Sequence, residues 1–406
     1  MSDIHFRQAH CRRAQGPIAA GRATHLQPVR RQDWAGLSAQ DVLARYRIGR
    51  TPPLQVLEVL LELFNPLHTA LEKTVSYKTR QQRAQFLRRF FHGLKAKAGF
   101  KTLPDPRNLG HKHIAAMVRV WQCDKLAPGT IQTYLSFLRG LAMWMGKHGF
   151  VRQPEHYGLE LEEYRRTGLA ERDKSWSAQG IDIEALIDQV CAYDRYVGGS
   201  LRLIRAMGLR RKESVMFRPH CNVVPFAATG LPPEGRVADR YARVKEGSKG
   251  GRLRFVPLES PERLAAVQFA QSVAVGLDAH MGDPSRDLKK NLRRFDYVLE
   301  KFGITVRKLG VTAHGLRHEA LIEHFESLTG QPPPVRGGEA LQPEVDRAAR
   351  LSVAKLAGHS RTRASGAYLG AVLAKRRPCN GRADGSGDPP PPGPSVRLRP
   401  MHRPHD

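Results

Sequence analysis

The stretch Leu351-Ser-Val-Ala-Lys-Leu-Ala-Gly358-His359-Ser-Arg-Thr-Arg-Ala-Ser-Gly-Ala-Tyr368-Leu-Gly370 decides how the rest of the chain is read. It is an apolar helical run closed by Gly358, the residue type that ends helices in the left-handed conformation. His359 follows at once, and Tyr368 stands in a second short segment. Upstream, His314-Gly-Leu-Arg317-His318 offers a second imidazole and a guanidinium. A phenol, two imidazoles and arginines in a very basic chain point to chemistry on phosphate.

The bulk numbers agree. The 406 residues leave room for two or three domains, and 41% hydrophobic content is enough to bury cores. Lys and Arg total 66 against 38 acidic residues, a formal charge of +28. So one-signed a charge repels itself unless a polyanion is the partner. Nucleic acid fits, because phosphate neutralisation dominates its affinity. A membrane does not fit: no apolar run approaches the roughly 18 residues that a span needs. Cys11, Cys123, Cys191, Cys221 and Cys379 are scattered, with no CxxC pair. That argues against a disulfide framework or a thiolate zinc site and suits a reducing, cytoplasmic setting. The N-terminus lacks an apolar core, so no secretion signal is read.

Along the chain, residues 1–50 read as a flexible basic arm with one short helix after Ser38. Residues 51–150 read as a helical, DNA-binding domain. Leu54 to Phe64 is apolar nearly all round, the mark of a packed helix. Ser76 to Ala98 places Phe86, Leu87, Phe90, Phe91 and Leu94 at helical spacing. Its basic residues Lys78, Arg80, Arg83, Arg88 and Arg89 are the expected DNA contacts. Helices at His111 to Cys123 and from Pro128 complete the bundle. Residues 151–176 read as a linker, and 177–376 as a second, mainly helical domain. Tyr241 to Val244 and Arg252 to Pro257 flank a Gly-rich turn, which predicts a β-hairpin carrying Lys249. A Pro/Gly-rich insertion spans 330–343, and 377–406 reads as a disordered Pro-rich tail. The fold class expected is mainly α with a small β-sheet, in two domains.

Breaking a DNA phosphodiester demands an in-line nucleophile, fixed cations for the developing charge, and a proton for the leaving oxygen. Arginine suits the second task and lysine or histidine the third. A tyrosine, with its pKa near 10, needs a base or adjacent cations to act as the first. The order of these groups resembles the tyrosine recombinases, or phage-type integrases. The family's Gly-Leu-Arg-x-x-Glu box appears as Gly208 to Glu213, and its hairpin box as Lys249-Gly-Gly-Arg252-Leu-Arg254-Phe-Val-Pro257. Its His-x-Leu-Arg box is His314 to Arg317, its Leu-Gly-His box is Leu356 to His359 with Ala357 added, and Tyr368 follows at the usual separation. Residues 71–150 look like its core-binding domain.

The resemblance implies a two-domain recombinase that cleaves and rejoins DNA through a 3′-phosphotyrosyl link, with no cofactor, metal or ATP, as a homotetramer on two duplexes. Tyr368 would be the nucleophile. Arg210 and Arg317 would clamp the non-bridging oxygens, and Lys249 would protonate the leaving 5′-oxygen. His314 would accept the tyrosine proton, His359 would donate to the phosphate, and Glu213 would orient a partner. Arg252 and Arg254 would contact DNA, and Lys245 and Arg252 are substitutes near Lys249. His318 and His324 read as helix-face residues with no role. The insertion after Arg317 departs from most of the family and is of the kind found in some integrase-like proteins of bacterial mobile elements.

Three rivals stand beside this reading. A metal-dependent hydrolase would use His314 and His318, which stand four apart at the spacing of zinc ligands, although an intervening Arg repels a cation. A DNA-binding protein descended from an integrase would bind without cleaving. A type IB topoisomerase would share the chemistry but fits the N-terminal bundle and the hairpin lysine less well.

Overall fold

The computed structural model describes residues 34, 36–68 and 74–371. Most of the arm expected over 1–50 and all of the tail expected over 377–406 lie outside the described residues. The chain divides into two compact units, one up to Thr167 and one from Gly168. Both are mainly helical, and the second carries one small antiparallel sheet, as the sequence leads one to expect.

The first unit contains α1 (Ala39–Ala44), α2 (Pro53–Phe64), α3 (Tyr77–Ala96), α4 (His111–Cys123), α5 (Pro128–Trp144) and α6 (Leu161–Tyr164). Local chemistry sets their ends. Ser38 and Asp41 form a capping box on α1, Ser76 Oγ accepts the Thr79 amide at α3, and prolines open α2 and α5. The apolar faces of α2 to α5 meet in one core, in which Phe86 stacks on Tyr134 with ring centroids 4.3 Å apart.

One expected DNA contact is corrected here. Arg83 is buried, because it lies on the same face of α3 as Phe86 and Phe90. Its Nε donates to Asn65 Oδ1 at 2.8 Å and its Nη2 to the Asn65 carbonyl at 2.7 Å, while the guanidinium lies 4.9 Å from the Trp144 ring. It neutralises the carbonyl end of α2, a structural task. An Arg83→Met variant is expected to lose about 2 kcal/mol of unfolding free energy, since the Asn65 groups would stay buried and unpaired. Urea denaturation of the variant would measure it; an unchanged midpoint would contradict the packing role. Arg88 is exposed but forms a bidentate pair with Glu58, with both bonds at 2.6 Å. Arg80 is half-buried, and Lys78 and Arg89 face solvent.

The stretch 151–176 is also corrected. It is not a free linker but is shared out. Val151, Tyr157 and Leu159 are buried in the first unit's core, and Trp176 is buried in the second's. Its weak periodicity reflects short turns, which bury single side chains instead of a face.

The second unit contains α7 (Ile183–Tyr193), α8 (Arg195–Met207), α9 (Arg211–Met216), β1 (Val223–Pro225), β2 (Arg240–Val244), β3 (Arg254–Pro257), α10 (Pro261–Val273), α11 (Leu288–Lys301), α12 (Ala313–Thr329), α13 (Pro343–Leu356) and α14 (Gly366–Leu369). Helix α8 is the hub, packing on α7, α10 and α12. The hairpin forms where expected, with Tyr241 opposite Pro257 and Val244 opposite Arg254. The third strand, β1, pairs with β2, Val223 opposite Ala242. In β3, Arg254 and Val256 point inward together, which fixes what Arg254 can do.

Candidate active site

The site is assembled where five helices, α8, α9, α12, α13 and α14, come together. Helix α8 stops on Gly208, whose φ of +60° puts it in the left-handed region. The chain turns there, so Arg210 becomes the N-cap of α9 and Glu213 reaches back to accept its amide at 2.8 Å. Helix α13 stops on Gly358, with φ +72°, and a Cβ there would lie 3.1 Å from Arg254 Nη1. Glycine is required on both counts. That stop leaves the Ala357 carbonyl free to accept from outside its own helix.

Two arginines take that carbonyl. Arg210 Nη2 donates to Ala357 O at 3.0 Å and Arg317 Nη2 at 2.6 Å. Arg317, on α12, is fully buried; its Nη1 donates to the Gly208 carbonyl and its Nε to the Tyr368 hydroxyl at 3.1 Å. Its guanidinium carbon lies 5.4 Å from the Tyr368 ring centroid. Three of its five N–H groups are thus occupied and two remain. Burial lowers its pKa from the ordinary value, with Tyr368 opposing that effect. Tyr368 is itself buried, held on α14 by the same chain that carries Arg317.

Glu213 organises the cations. Burial alone would raise its carboxyl, but its pairing with Arg254, and then with Arg210, takes it down to about 2. Arg254 donates from both terminal nitrogens, at 3.1 and 2.7 Å, and Arg210 Nη1 adds a bond at 2.7 Å. This corrects a second expected DNA contact: Arg254 is buried on the inner face of β3 and braces Glu213. Arg252, by contrast, is exposed beside the hairpin turn.

The imidazoles surround this cluster. His359 Nε2 lies 3.3 Å from Arg210 Nη2. An arginine only donates, so that contact suits an unprotonated Nε2, with the proton on Nδ1. Desolvation, then Arg210 and Arg317, hold His359 down at about 4. His314 stands 6.2 Å from Tyr368 between ring centroids. It presents one face to solvent, so its depression to about 4, by desolvation and then by Arg317, Arg210 and Lys174, owes more to the three cations than a sealed group's would.

His318 was missed as a member of the site. Its ring meets Tyr368 edge-on at 4.9 Å and His314 at 5.1 Å, and among the described residues its buried Nδ1 has no hydrogen-bond partner. The available signal was its position next to Arg317 and one turn after His314. Among the described residues, no set of three His, Cys, Asp or Glu converges to hold a metal ion. Lys249 lies on the exposed turn between β2 and β3, and among the described residues it makes no hydrogen bond or ion pair with the cluster.

Burial, followed by His314 and Lys174, lowers His318 to about 3, with Asp173 opposing and Arg317 adding to the depression. The unfolded chain takes up this proton below about pH 6.5 and the folded one does not. Stability is therefore fully present above pH 6.5 and is lost as pH falls toward about 3, by about 1.4 kcal/mol per pH unit for each group held neutral. Unfolding free energy measured at pH 7 and pH 5 should fall by at least ~2 kcal/mol in the native protein, and by visibly less in His318→Gln. Equal slopes would contradict a neutral, buried His318.

Two family descriptions match the sequence: phage integrase, N-terminal, over residues 65–151, and integrase over residues 175–322. Together they span more than half of the chain, which belongs to the phage-type integrases, the tyrosine recombinase family. The second match ends before His359 and Tyr368, whose places are given by the geometry above. No curated protein matches the chain in sequence. Among solved structures, a lambda integrase dimer bound to a COC′ core site is similar at 14% identity, over 73% of this chain and 89% of that one, with a TM-score of 0.46. A lambda integrase tetramer bound to a Holliday junction is similar at 15% identity over 83% of each chain, with a TM-score of 0.48. The Tn1549 transposon integrase in complex with transposon right end DNA is similar at 12% identity, over 74% and 91%, with a TM-score of 0.43. Among the described residues no helix is long and apolar enough to cross a membrane.

Proposed function

We propose that this chain is a site-specific DNA recombinase that breaks and rejoins strands through Tyr368. The observation that carries the reading is the Tyr368 hydroxyl, 3.1 Å from Arg317 Nε, in a site where Arg317 and Arg210 share the Ala357 carbonyl. A phenol beside two fixed guanidiniums is set to meet a phosphate diester.

Tyr368 oxygen attacks the phosphorus, and its proton passes to His314, which burial and then the surrounding cations keep neutral and able to accept. The free N–H groups of Arg317 and Arg210 and the Nδ1–H of His359 meet the charge that grows on the non-bridging oxygens. Glu213 and Arg254 hold Arg210 in place. The 5′-oxygen leaves with a proton from Lys249, whose turn comes to it when DNA fills the site. The product is a 3′-phosphotyrosyl bond and a free 5′-hydroxyl. The bond energy is conserved in the link, so rejoining to another 5′-hydroxyl needs no ATP. The docking of Tyr368 on its own chain's Arg317 supports cleavage in cis. Exchange takes two duplexes and four copies of the chain. Lys78, Arg88, Arg89 and Arg252 are the exposed cations assigned to DNA.

The test uses nicked suicide duplexes built from sequences that the protein selects out of a random pool. The protein is expected to give an SDS-resistant adduct in EDTA, and binding is expected to weaken steeply with salt. Tight binding with no adduct would leave a non-catalytic DNA-binding protein; a flat salt response would end the DNA reading.

A further inference from the structure

The Pro/Gly-rich insertion 330–343 carries a side chain whose surroundings are not those of a surface loop. Arg336 bonds three carboxylates and two hydroxyls. Its Nε donates to Asp173 Oδ2 at 2.8 Å, and its Nη1 to both oxygens of Glu326 at 3.1 Å. Its Nη2 reaches Ser175 Oγ at 3.1 Å, Ser177 Oγ at 3.0 Å and Glu319 Oε1 at 3.0 Å. Glu319 also accepts from the amide and the hydroxyl of Ser177. One cation thus ties three pieces of chain together: the strap 169–177, helix α12 and the insertion.

Those pieces form the seat of α14. The Ala170 amide donates to the Gly366 carbonyl at 2.8 Å. A Cβ at Gly366 would lie 2.7 Å from Leu169 Cδ2, and one at Gly370 would lie 3.1 Å from Ala170 O and 3.3 Å from Val335 N. Val335, the neighbour of Arg336, packs against the core that holds Tyr368 and Leu369. At its other end the strap grips the start of α12, where Trp176 Nε1 donates to Thr312 O at 2.8 Å and a Cβ at Gly315 would lie 2.5 Å from Lys174 O. The seat therefore joins the helix that bears Arg317 to the helix that bears Tyr368. Without the guanidinium, Asp173, Glu319 and Glu326 would face one another uncompensated, and the strap would be pushed from α12.

We propose that Arg336 is a positioning residue: it locks the strap and the insertion to α12 as a seat that holds Tyr368 against Arg317. The proposal rests on the reading of Tyr368 as nucleophile, deepens it, and gives the insertion a task.

The full chain is tested as Arg336→Gln, Arg336→Lys and Asp173→Asn, on the same suicide duplexes and by amide hydrogen exchange without DNA. Arg336→Gln should slow adduct formation about 10- to 100-fold, the scale of a small misplacement of a reacting group. Non-covalent DNA affinity should stay within about twofold, since no DNA contact is removed. Amides of residues 366–370 should exchange at least about tenfold faster while those of α8 do not change, a local opening rather than a global one. Arg336→Lys should recover part of the rate. Unchanged adduct formation and exchange in Arg336→Gln would overturn the proposal. If Arg336→Gln opens α8 as well, Asp173→Asn decides: selective opening at 366–370 supports the seat, and global or no opening overturns it. Failure of the unaltered protein to form an adduct would sink the nucleophile reading, and the exchange data would still judge the seat.

Discussion

Replacing Tyr368 by phenylalanine is expected to abolish adduct formation on a nicked suicide duplex, a loss of at least about 10⁴-fold, as for removal of other enzyme nucleophiles. The variant should still fold. Its ring keeps its place near the Arg317 guanidinium and its packing in the second unit's core. What disappears is one acceptor, which leaves Arg317 Nε buried and unpaired at a cost of about 1–3 kcal/mol. DNA affinity should stay within about twofold, because no assigned phosphate cation is touched. Quantified gels, filter binding and thermal melting together check this result. Residual adduct above a thousandth of the native rate would mean that another group attacks.

The second large effect is expected at Arg317. It is fully buried and serves three partners on three segments: Gly208 at the end of α8, Ala357 after α13 and Tyr368 on α14. Arg317→Ala leaves the Gly208 carbonyl and the Tyr368 phenol without their donor around a cavity, and the Ala357 carbonyl with Arg210 alone. Loss of about 3–5 kcal/mol of stability follows, together with the activity. Arg317→Lys separates the two consequences. A lysine keeps the charge but has no planar fork to reach all three segments. It should retain much of the fold and still lose at least about 100-fold in adduct rate, the scale of removing one preorganised donor. Denaturant unfolding beside single-turnover cleavage measures both. A Lys variant that cleaves at the native rate would show that Arg317 is structural only.

Much of this arrangement was legible in the sequence, for a physical reason. Phosphate chemistry accepts few residue types, which drew attention to Arg317, His359 and Tyr368, and the resemblance of the ordered boxes to a known family added Arg210. The hairpin was legible because a Gly-rich turn between two β-like runs allows little else. Strand β1, at three residues, is too short for alternation to show.

Arg83 and Arg254 are the two expected DNA contacts that turn out to be buried. Arg83 precedes Phe86 and Phe90 by one and two helical turns, and Arg254 shares a strand face with Val256. Both periodicities pointed inward, and charge was allowed to outvote them. Arg336 is a different case. Its partner Asp173 lies 163 residues away, and no local pattern announces such a bond. His318 read as a helix-face residue without a role, since spacing alone does not show which face of α12 meets Tyr368.

In the proposed reaction Tyr368 itself becomes joined to a 3′-phosphate. The most direct measurement is proteolysis of the trapped adduct, followed by mass spectrometry of the nucleotide-bearing peptide. The expected peptide contains Tyr368 and carries the DNA through its 3′-terminal phosphate, with an unblocked 5′-hydroxyl on the released strand. A peptide modified at any other residue, or one linked to a 5′-phosphate, would contradict the account.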